Sequence, residues 1–435
     1  MNLSKTQLVM VAVAGVVVIA LILVFLGIIP GLQDSSADPT KIKASLNFWG
    51  VGDTAEDYAD ALAAFKGMYQ NVVVNYRSFG NEGDYESALL NALAENKGHD
   101  IFMVRNTDVA KTAGKIAPAL GTTFSALQLR QMFPQVASQD LVYQGLVNAL
   151  PLSIDTLALL YNRDAFDQAA VTLPVNWKSL EDLINNIPNL VKKDGNCRLT
   201  QAAVALGTAR NITNTPDILY MLMLQNGVAM NKENLVSLSS DRGVQALDFY
   251  RQFSQPGSRS YSWNNEFKNS LDAFANGEVA MVFEYASNIR AIKNRNGFLN
   301  FEIAPVLQPK GANLSVTYPK YWGYVVSRQS KEQVLAWSFV ITMTTQSAAA
   351  EGYSQKTGKP PALNSLIYRY QSDPVLGVFA RQALTARSWF EADRTFIDRT
   401  ISDMIELTAE RDILSRNALQ QTEDKINQYL NQRSF

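Results

Sequence analysis

Few residues of this chain could carry covalent or metal chemistry. Its 435 residues include one His, His99, and one Cys, Cys197. An HExxH zinc site needs two His, a zinc finger needs several Cys and His, and an internal disulfide needs two Cys. None of these can form within the chain. A Ser-His-Asp triad would have to use His99, which stands beside Asp100 ahead of a short apolar run and reads as a surface or cap residue. Cys197, in Asp194-Gly195-Asn196-Cys197, reads as a turn residue. Asp and Glu number 40, yet no motif brings two carboxylates to the roughly 5–9.5 Å that a glycosidase requires. Gly50-Val51-Gly52-Asp53-Thr54-Ala55 has the GxGxx[GA] form of a dinucleotide fingerprint. Its second strand, however, ends at Asn75-Tyr76-Arg77, with no acid to hold a ribose. The glycines therefore read as a tight strand-to-helix turn. No GxxxxGK[ST] loop occurs. The expectation is a protein with no catalytic residue, no metal and no cofactor.

Residues suited to binding are better represented. Trp49, Trp263, Tyr285, Tyr321, Trp322 and Trp389 fall at strand ends or in loops of the expected pattern. Sugar rings present apolar C–H faces and a rim of hydroxyls, so a site for them combines flat aromatic faces with carboxylates and amides. Core packing is the competing explanation for any one aromatic. Tyr321-Trp322-Gly323 is the strongest candidate, because Pro319-Lys320 places it at a loop-to-strand junction. Lys and Arg number 39 against 40 acids, a net charge of -1. No basic stripe points to nucleic acid.

The elements that must position these residues follow from periodicity. Residues 42–49 read as a strand, and Thr54 with Asp57 as a capping box. Tyr58, Leu62, Phe65 and Tyr69 share one helical face. Residues 72–76 form a second strand, Asp84 caps a second helix, and residues 100–104 form a third strand. This alternation predicts a parallel sheet with crossover helices. Further on, residues 157–161, 278–283, 301–304 and 323–327 read as strands. Residues 176–256, 331–345 and those beyond 373 read as mostly helical. Hydrophobic residues are 47% of the chain and charged residues 18%, enough for a sizeable core.

Residues 8–29 carry no charge and as a helix would span about 33 Å, the thickness of a bilayer core. Lys5 precedes them, and Asp34 and Asp38 follow. That asymmetry predicts a cytoplasmic tail at 1–7, a membrane anchor at 8–29, a linker at 30–41 and the main body outside the cell membrane. Ser35-Ser36-Ala37 would allow cleavage, giving a secreted or periplasmic protein. The apolar run exceeds the 7–15 residues of an ordinary signal core, which favours retention.

Several motifs in order complete the reading. They are Leu150-Pro151-Leu152-Ser153-Ile154-Asp155, Leu160-Tyr161-Asn162-Arg163-Asp164-Ala165-Phe166 and Phe274-Ala275-Asn276-Gly277-Glu278-Val279-Ala280-Met281. Trp322-Gly323-Tyr324-Val325-Val326-Ser327, Ala336-Trp337-Ser338-Phe339 and Thr357-Gly358-Lys359-Pro360-Pro361-Ala362 follow. Together they resemble the extracellular solute-binding proteins of ABC importers, in the carbohydrate-binding branch that includes maltose-binding protein. The resemblance spans about 42–430. It implies an α/β, two-lobed periplasmic-binding-protein-like fold whose discontinuous chain crosses the hinge three times, near 153–157, 283–286 and 341–345. Residues 42–152 with 285–342 would form lobe 1, and 156–283 with 346–435 lobe 2. By position, the resemblance implies ligand contacts at Trp49 and Asp53, at Arg105 and Asn106, at Asp155, and at Glu284 and Tyr285. Trp263, Trp322 and Trp389 would be stacking platforms, with Tyr321 beside them. The implied function is a monomeric, non-enzymatic receptor that captures a sugar or oligosaccharide for an ABC permease. A receptor for a non-sugar solute, a sensor subunit and an anchored glycosidase are the competing readings.

Overall fold

The computed structural model describes residues 38–95, 99–232, 235–411 and 413–432. The expected anchor at 8–29, the tail at 1–7 and most of the linker lie outside them. Among the described residues, no helix is long and apolar enough to cross a membrane.

Two five-stranded sheets carry the fold. The first has the order Val72–Phe79, Ala44–Val51, Ile101–Arg105, Trp322–Val326, Leu150–Pro151. Phe48 pairs with Ile101 in a parallel ladder, while Trp322–Val326 inserts antiparallel, with Trp322 opposite Arg105. The second has the order Phe301–Ala304, Ala158–Asn162, Val279–Glu284, Leu199–Val204, Lys192–Lys193. Its Val279–Glu284 strand runs parallel to Leu199–Val204 and antiparallel to Ala158–Asn162. Both sheets are mixed, where alternation alone predicted a parallel one. In the first sheet the late strand Trp322–Val326 enters against Ile101–Arg105, and in the second Ala158–Asn162 runs against both Val279–Glu284 and Phe301–Ala304.

Local sequence explains most elements. Ile101–Val104, Ala158–Asn162 and Val279–Glu284 are buried throughout, as central strands covered on both faces must be. The helix Leu180–Leu190 buries Leu180, Leu183, Ile187 and Leu190 at helical spacing. Thr54 and Asp57 form the expected capping box, although the first turn they cap, Ala55–Tyr58, is a tighter 3-10 turn. The helix Glu82–Glu95 is capped by Asn81, whose Oδ1 accepts from the Asp84 amide at 2.9 Å. Asp84 instead sits inside the first turn. Leu199–Val204, expected within a helical stretch, is a strand of the second sheet, its last four residues buried. That sheet's half has a continuous core including Tyr161, Val204, Met221, Phe253, Met281, Ile401 and Leu419.

A short antiparallel ladder links the sheets: Pro319 pairs with Thr156 and Lys320 with Asp155. Asp155 and Thr156 lie inside the segment 153–157 expected as a crossing. Near the other two expected crossings the chain keeps local partners. Phe283 lies inside Val279–Glu284, and the next helix, Ile289–Arg295, packs on Ser270–Ala275 of the same half. Phe301–Ala304, expected in lobe 1, pairs with Ala158–Asn162 in the second sheet. Residues 341–345 end the helix Gln333–Thr345, which packs on Trp322–Val326 and Leu150–Pro151. The following helix, Ser347–Thr357, packs back on it, so the chain stays with the first sheet well beyond 345.

The chain divides into two compact units of unequal size. In the smaller, which includes Lys66–Val73 and the described residues up to Ser45, Asn71 Nδ2 donates to the Thr40 carbonyl at 2.6 Å. The larger, Leu46–Phe65 with Val74–Phe435, contains the body of both sheets and the ladder between them.

Candidate ligand-binding cleft

Three cavities follow one another along the larger unit, lined by residues from both sheets' halves. The first, of about 420 Å³, has the linking ladder at its base: Asp155 and Lys320 line it with Glu82, Arg105, Tyr321 and Trp322. The second, of about 510 Å³, shares Glu82, Arg105, Lys320 and Trp322 and adds Arg394 and Asp398. The third, of about 770 Å³, shares Lys111 with the second and is lined by Asn106, Thr107, Asp140, Trp389 and Phe390.

Trp322 enters the cleft from the end of its strand. The Arg105 guanidinium lies 4.6 Å from its ring centre, and Tyr85 meets it edge-on at 6.0 Å. Both ends of the guanidinium fork are gripped by the Glu82 carboxylate. Burial raises the Glu82 pKa, but the Arg105 pair outweighs this and holds it below the usual carboxylate range. The indole therefore has a fixed orientation.

Asp140 organises the third cavity. It accepts from Asn106 Nδ2 at 2.9 Å, from the Tyr321 hydroxyl at 2.8 Å and from the Ser388 hydroxyl. Burial pushes its pKa up to about 6, against those donors. Two buried groups of residues that line this cavity, Trp389 Nε1 and Thr107 Oγ1, have no hydrogen-bond partner among the described residues. An unsatisfied buried polar group costs about 1–3 kcal/mol.

The base of the cleft is a polar network. Asp155 accepts from the amides of Thr156, Ala286 and Ser287 at 2.9–3.0 Å, and burial pushes its pKa up to about 6. Glu284 Oε1 accepts from the Tyr285 amide, Asn214 Nδ2 and Asn288 Nδ2. Burial again dominates, and its pKa rises to about 7. The Tyr285 hydroxyl donates to Asp217 at 2.9 Å, and Lys320 Nζ lies 5.5 Å from the Tyr285 ring centre.

Of the residues expected at the site, Arg105, Asn106, Asp155, Tyr321, Trp322 and Trp389 line these cavities. Glu284 and Tyr285 lie beneath the base, where they hold neighbours in place. Asp53 is enclosed: Tyr58 and Tyr353 hydroxyls donate to Oδ2 at 3.0 and 2.8 Å, and Lys359 pairs with Oδ1 at 2.5 Å. Its loop turns at Gly52, whose φ of +77° suits glycine, which fits the turn reading of that motif. Trp49 packs between Phe79 and His99 under the Arg77 guanidinium. Trp263 is fully buried, stacked on Phe267 at 4.6 Å, with its indole N–H donating to Asn211. His99 is not at the surface. It is 4% exposed between Trp49 and Phe102, and burial pushes its pKa down to about 4.

Lys320, Asp140, Arg394 and Thr107 were not singled out from sequence. Lys320 had a visible signal, since it adjoins Tyr321-Trp322. Arg394 and Asp398 stand at i,i+4 spacing and pair at 3.0 Å, but many such pairs are merely solvated. Asp140 and Thr107 are chosen by tertiary contacts alone.

A profile of the family described as bacterial extracellular solute-binding protein matches residues 60–375. A protein named as an ABC transporter periplasmic-binding protein, YcjN of Escherichia coli (strain K12), is 24% identical over 136 residues. That match covers 31% of this chain and 29% of the relative's length. The sugar-binding protein MalE of Xanthomonas citri superposes with a TM-score of 0.74 at 18% identity, over 89% of this chain and 98% of that one. The substrate-binding protein Lmo0181 of Listeria monocytogenes gives 0.72 at 17%, over 90% and 100%. The GacH receptor of Streptomyces glaucescens gives 0.69 at 22%, over 89% and 99%. These likenesses establish the fold as the α/β, two-lobed periplasmic-binding-protein type. With the family profile matching well over half of its length, the chain belongs to the bacterial extracellular solute-binding protein family.

Proposed function

We propose that this protein is an extracytoplasmic receptor that captures a sugar or oligosaccharide between two hinged lobes and delivers it to an ABC permease. The observation that carries the reading is the third cavity together with Trp322. A positioned indole, a second indole and a carboxylate held by three donors stand along one cleft. That is the combination of flat faces and polar rim that a sugar needs. Relatives in fold are described with cycloalternan, acarbose, maltotetraose and mannobiose, which agrees with it. In this reading the chain passes three times between lobes, at the 155–156 and 319–320 strands and along the segment that follows Thr357. Ligand favours closure by touching both lobes. The receptor works as a monomer and breaks no bond, and residues 8–29 hold it at the membrane.

The test uses calorimetry and thermal shift over mono- and oligosaccharides, amino acids, peptides and polyamines, with product analysis. One sugar class should raise the melting temperature without being cleaved. Saturation at about 100 times Kd adds roughly 2.7 kcal/mol. Trp322→Ala should weaken binding by about tenfold or more. Unchanged affinity removes Trp322 from the site, a shift with a non-sugar ligand replaces the ligand class, and cleavage products replace receptor with enzyme.

A further inference from the structure

Among the described residues, the cleft's cations are mostly paired, and of the two without an ion pair, Lys111 is exposed while Lys320 is partly buried. Arg105 is held by Glu82, Lys359 by Asp53 at 2.5 Å, and Arg394 by Asp217 at 3.3 Å and Asp398 at 3.0 Å. Lys320 is partly buried at the base and forms no ion pair among the described residues. Its Nζ has one hydrogen-bond acceptor, Asn214 Oδ1 at 3.3 Å, and the Tyr285 ring face.

This arrangement is built rather than incidental. Asn214 adopts a left-handed backbone, with φ of +59°, a conformation that costs a non-glycine residue energy and clusters at functional positions. From there its side chain contacts both Lys320 and Glu284. The antiparallel ladder fixes the Lys320 backbone opposite Asp155. An ammonium drawn from water with no carboxylate at ion-pair distance is costly; burial pushes the Lys320 pKa down, against the pull of Asp217 and Glu82. Lys320 lines both the first and the second cavity, together with Glu82, Arg105 and Trp322. Glu86 and Asp108 line only the second; of the four shared residues the one carboxylate, Glu82, is engaged by Arg105, which leaves the Lys320 ammonium there to meet a ligand anion.

Building on the receptor reading, we propose that the solute carries an anionic group, a carboxylate or a phosphate, bound by Lys320 Nζ at the junction of the two cavities. The sugar ring then lies along Trp322, and the anion completes the charge pairing at the base of the cleft. Lys320 acts as a specificity determinant, rejecting neutral congeners that leave the ammonium unpaired.

The experiment is titration calorimetry with neutral, uronate-bearing and phosphate-bearing sugars of matched length. Wild-type protein should bind one acidic series at least about 30-fold tighter than its neutral counterpart, and which series responds separates carboxylate from phosphate. Lys320→Met should abolish that preference, so that acidic and neutral members bind alike, and Lys320→Arg should retain part of it. The unliganded melting temperature of each variant reports folding, and the wild-type comparison needs no variant. Equal affinity for neutral and acidic members, or a preference that survives Lys320→Met, overturns the proposal and leaves the sugar receptor standing. No binding by any member overturns both.

Discussion

At the scale of single residues, the carboxylates at the base of the cleft have a measurable consequence. Glu284 is held by three donors, yet burial raises its pKa to about 7, above its value of about 4.3 in an unfolded chain. Between those values the folded state binds more protons than the unfolded one. The stabilisation is fully present below about pH 4.3 and is lost as pH rises through 7. We predict that the melting temperature of the unliganded protein falls between about pH 4.5 and 7 and levels off above, the stability changing by at most about 1.4 kcal/mol per pH unit from this group. Glu284→Gln should flatten that slope. An unchanged slope would mean that the carboxylate stays charged. Residue chemistry was partly legible beforehand. Thr54 and Asp57 declared themselves by local spacing, because a capping box needs only four consecutive residues. Asp140 and Thr107 did not, because their environment is assembled from segments far apart in the chain.

At the scale of elements, strands rich in Val, Ile, Leu and Phe were readable because burial on both faces demands continuous apolar runs. Leu199–Val204 escaped because Thr200-Gln201-Ala202-Ala203 lacks the β-branched density that separates a buried strand from a helix. Phe301–Ala304 was readable as a strand, but its sheet was not, since its partner Ala158–Asn162 lies far earlier in the chain. One pair of elements also bears on closure. The helix Gln135–Leu141 meets the segment 387–390 through Gln139 Nε2 to the Ser388 carbonyl at 2.9 Å, the Ser388 hydroxyl to Asp140, and Arg387 to Gln135 at 3.1 Å. These bonds join the first sheet's half to the second's, so opening must break them. The double variant Gln139→Ala with Ser388→Ala should raise the radius of gyration of the unliganded protein by small-angle scattering. It should also lower sugar affinity roughly fivefold, at about 1 kcal/mol for the contact. Identical scattering curves would show that this contact does not hold the lobes.

At the scale of the whole molecule, the fold class was legible because ordered motifs survive along most of the chain. The sheet that each late strand joins was not, since Phe301–Ala304 finds its partner far earlier in the chain. The expected attachment at 8–29 belongs to this scale too. Protein purified from membranes should begin at the first or second residue by intact mass, and a start at Asp38 would replace the anchor with a cleaved leader. The insertion of Trp322–Val326 beside Ile101–Arg105 has one more consequence. Gly323 lies so close to Ala149 that a Cβ there would come within 2.7 Å of the Ala149 Cβ, so this strand is fitted tightly between neighbours made much earlier. Until it arrives, Ile101–Val104 is an unpaired, wholly apolar edge, the kind of surface that aggregates. The first lobe therefore has a high contact order and cannot complete its sheet during synthesis or export until roughly three quarters of the chain has emerged. The second lobe waits in turn for its last two helices, Arg394–Glu410 and Ser415–Gln432, and the protein matures from an open intermediate in which neither half is finished.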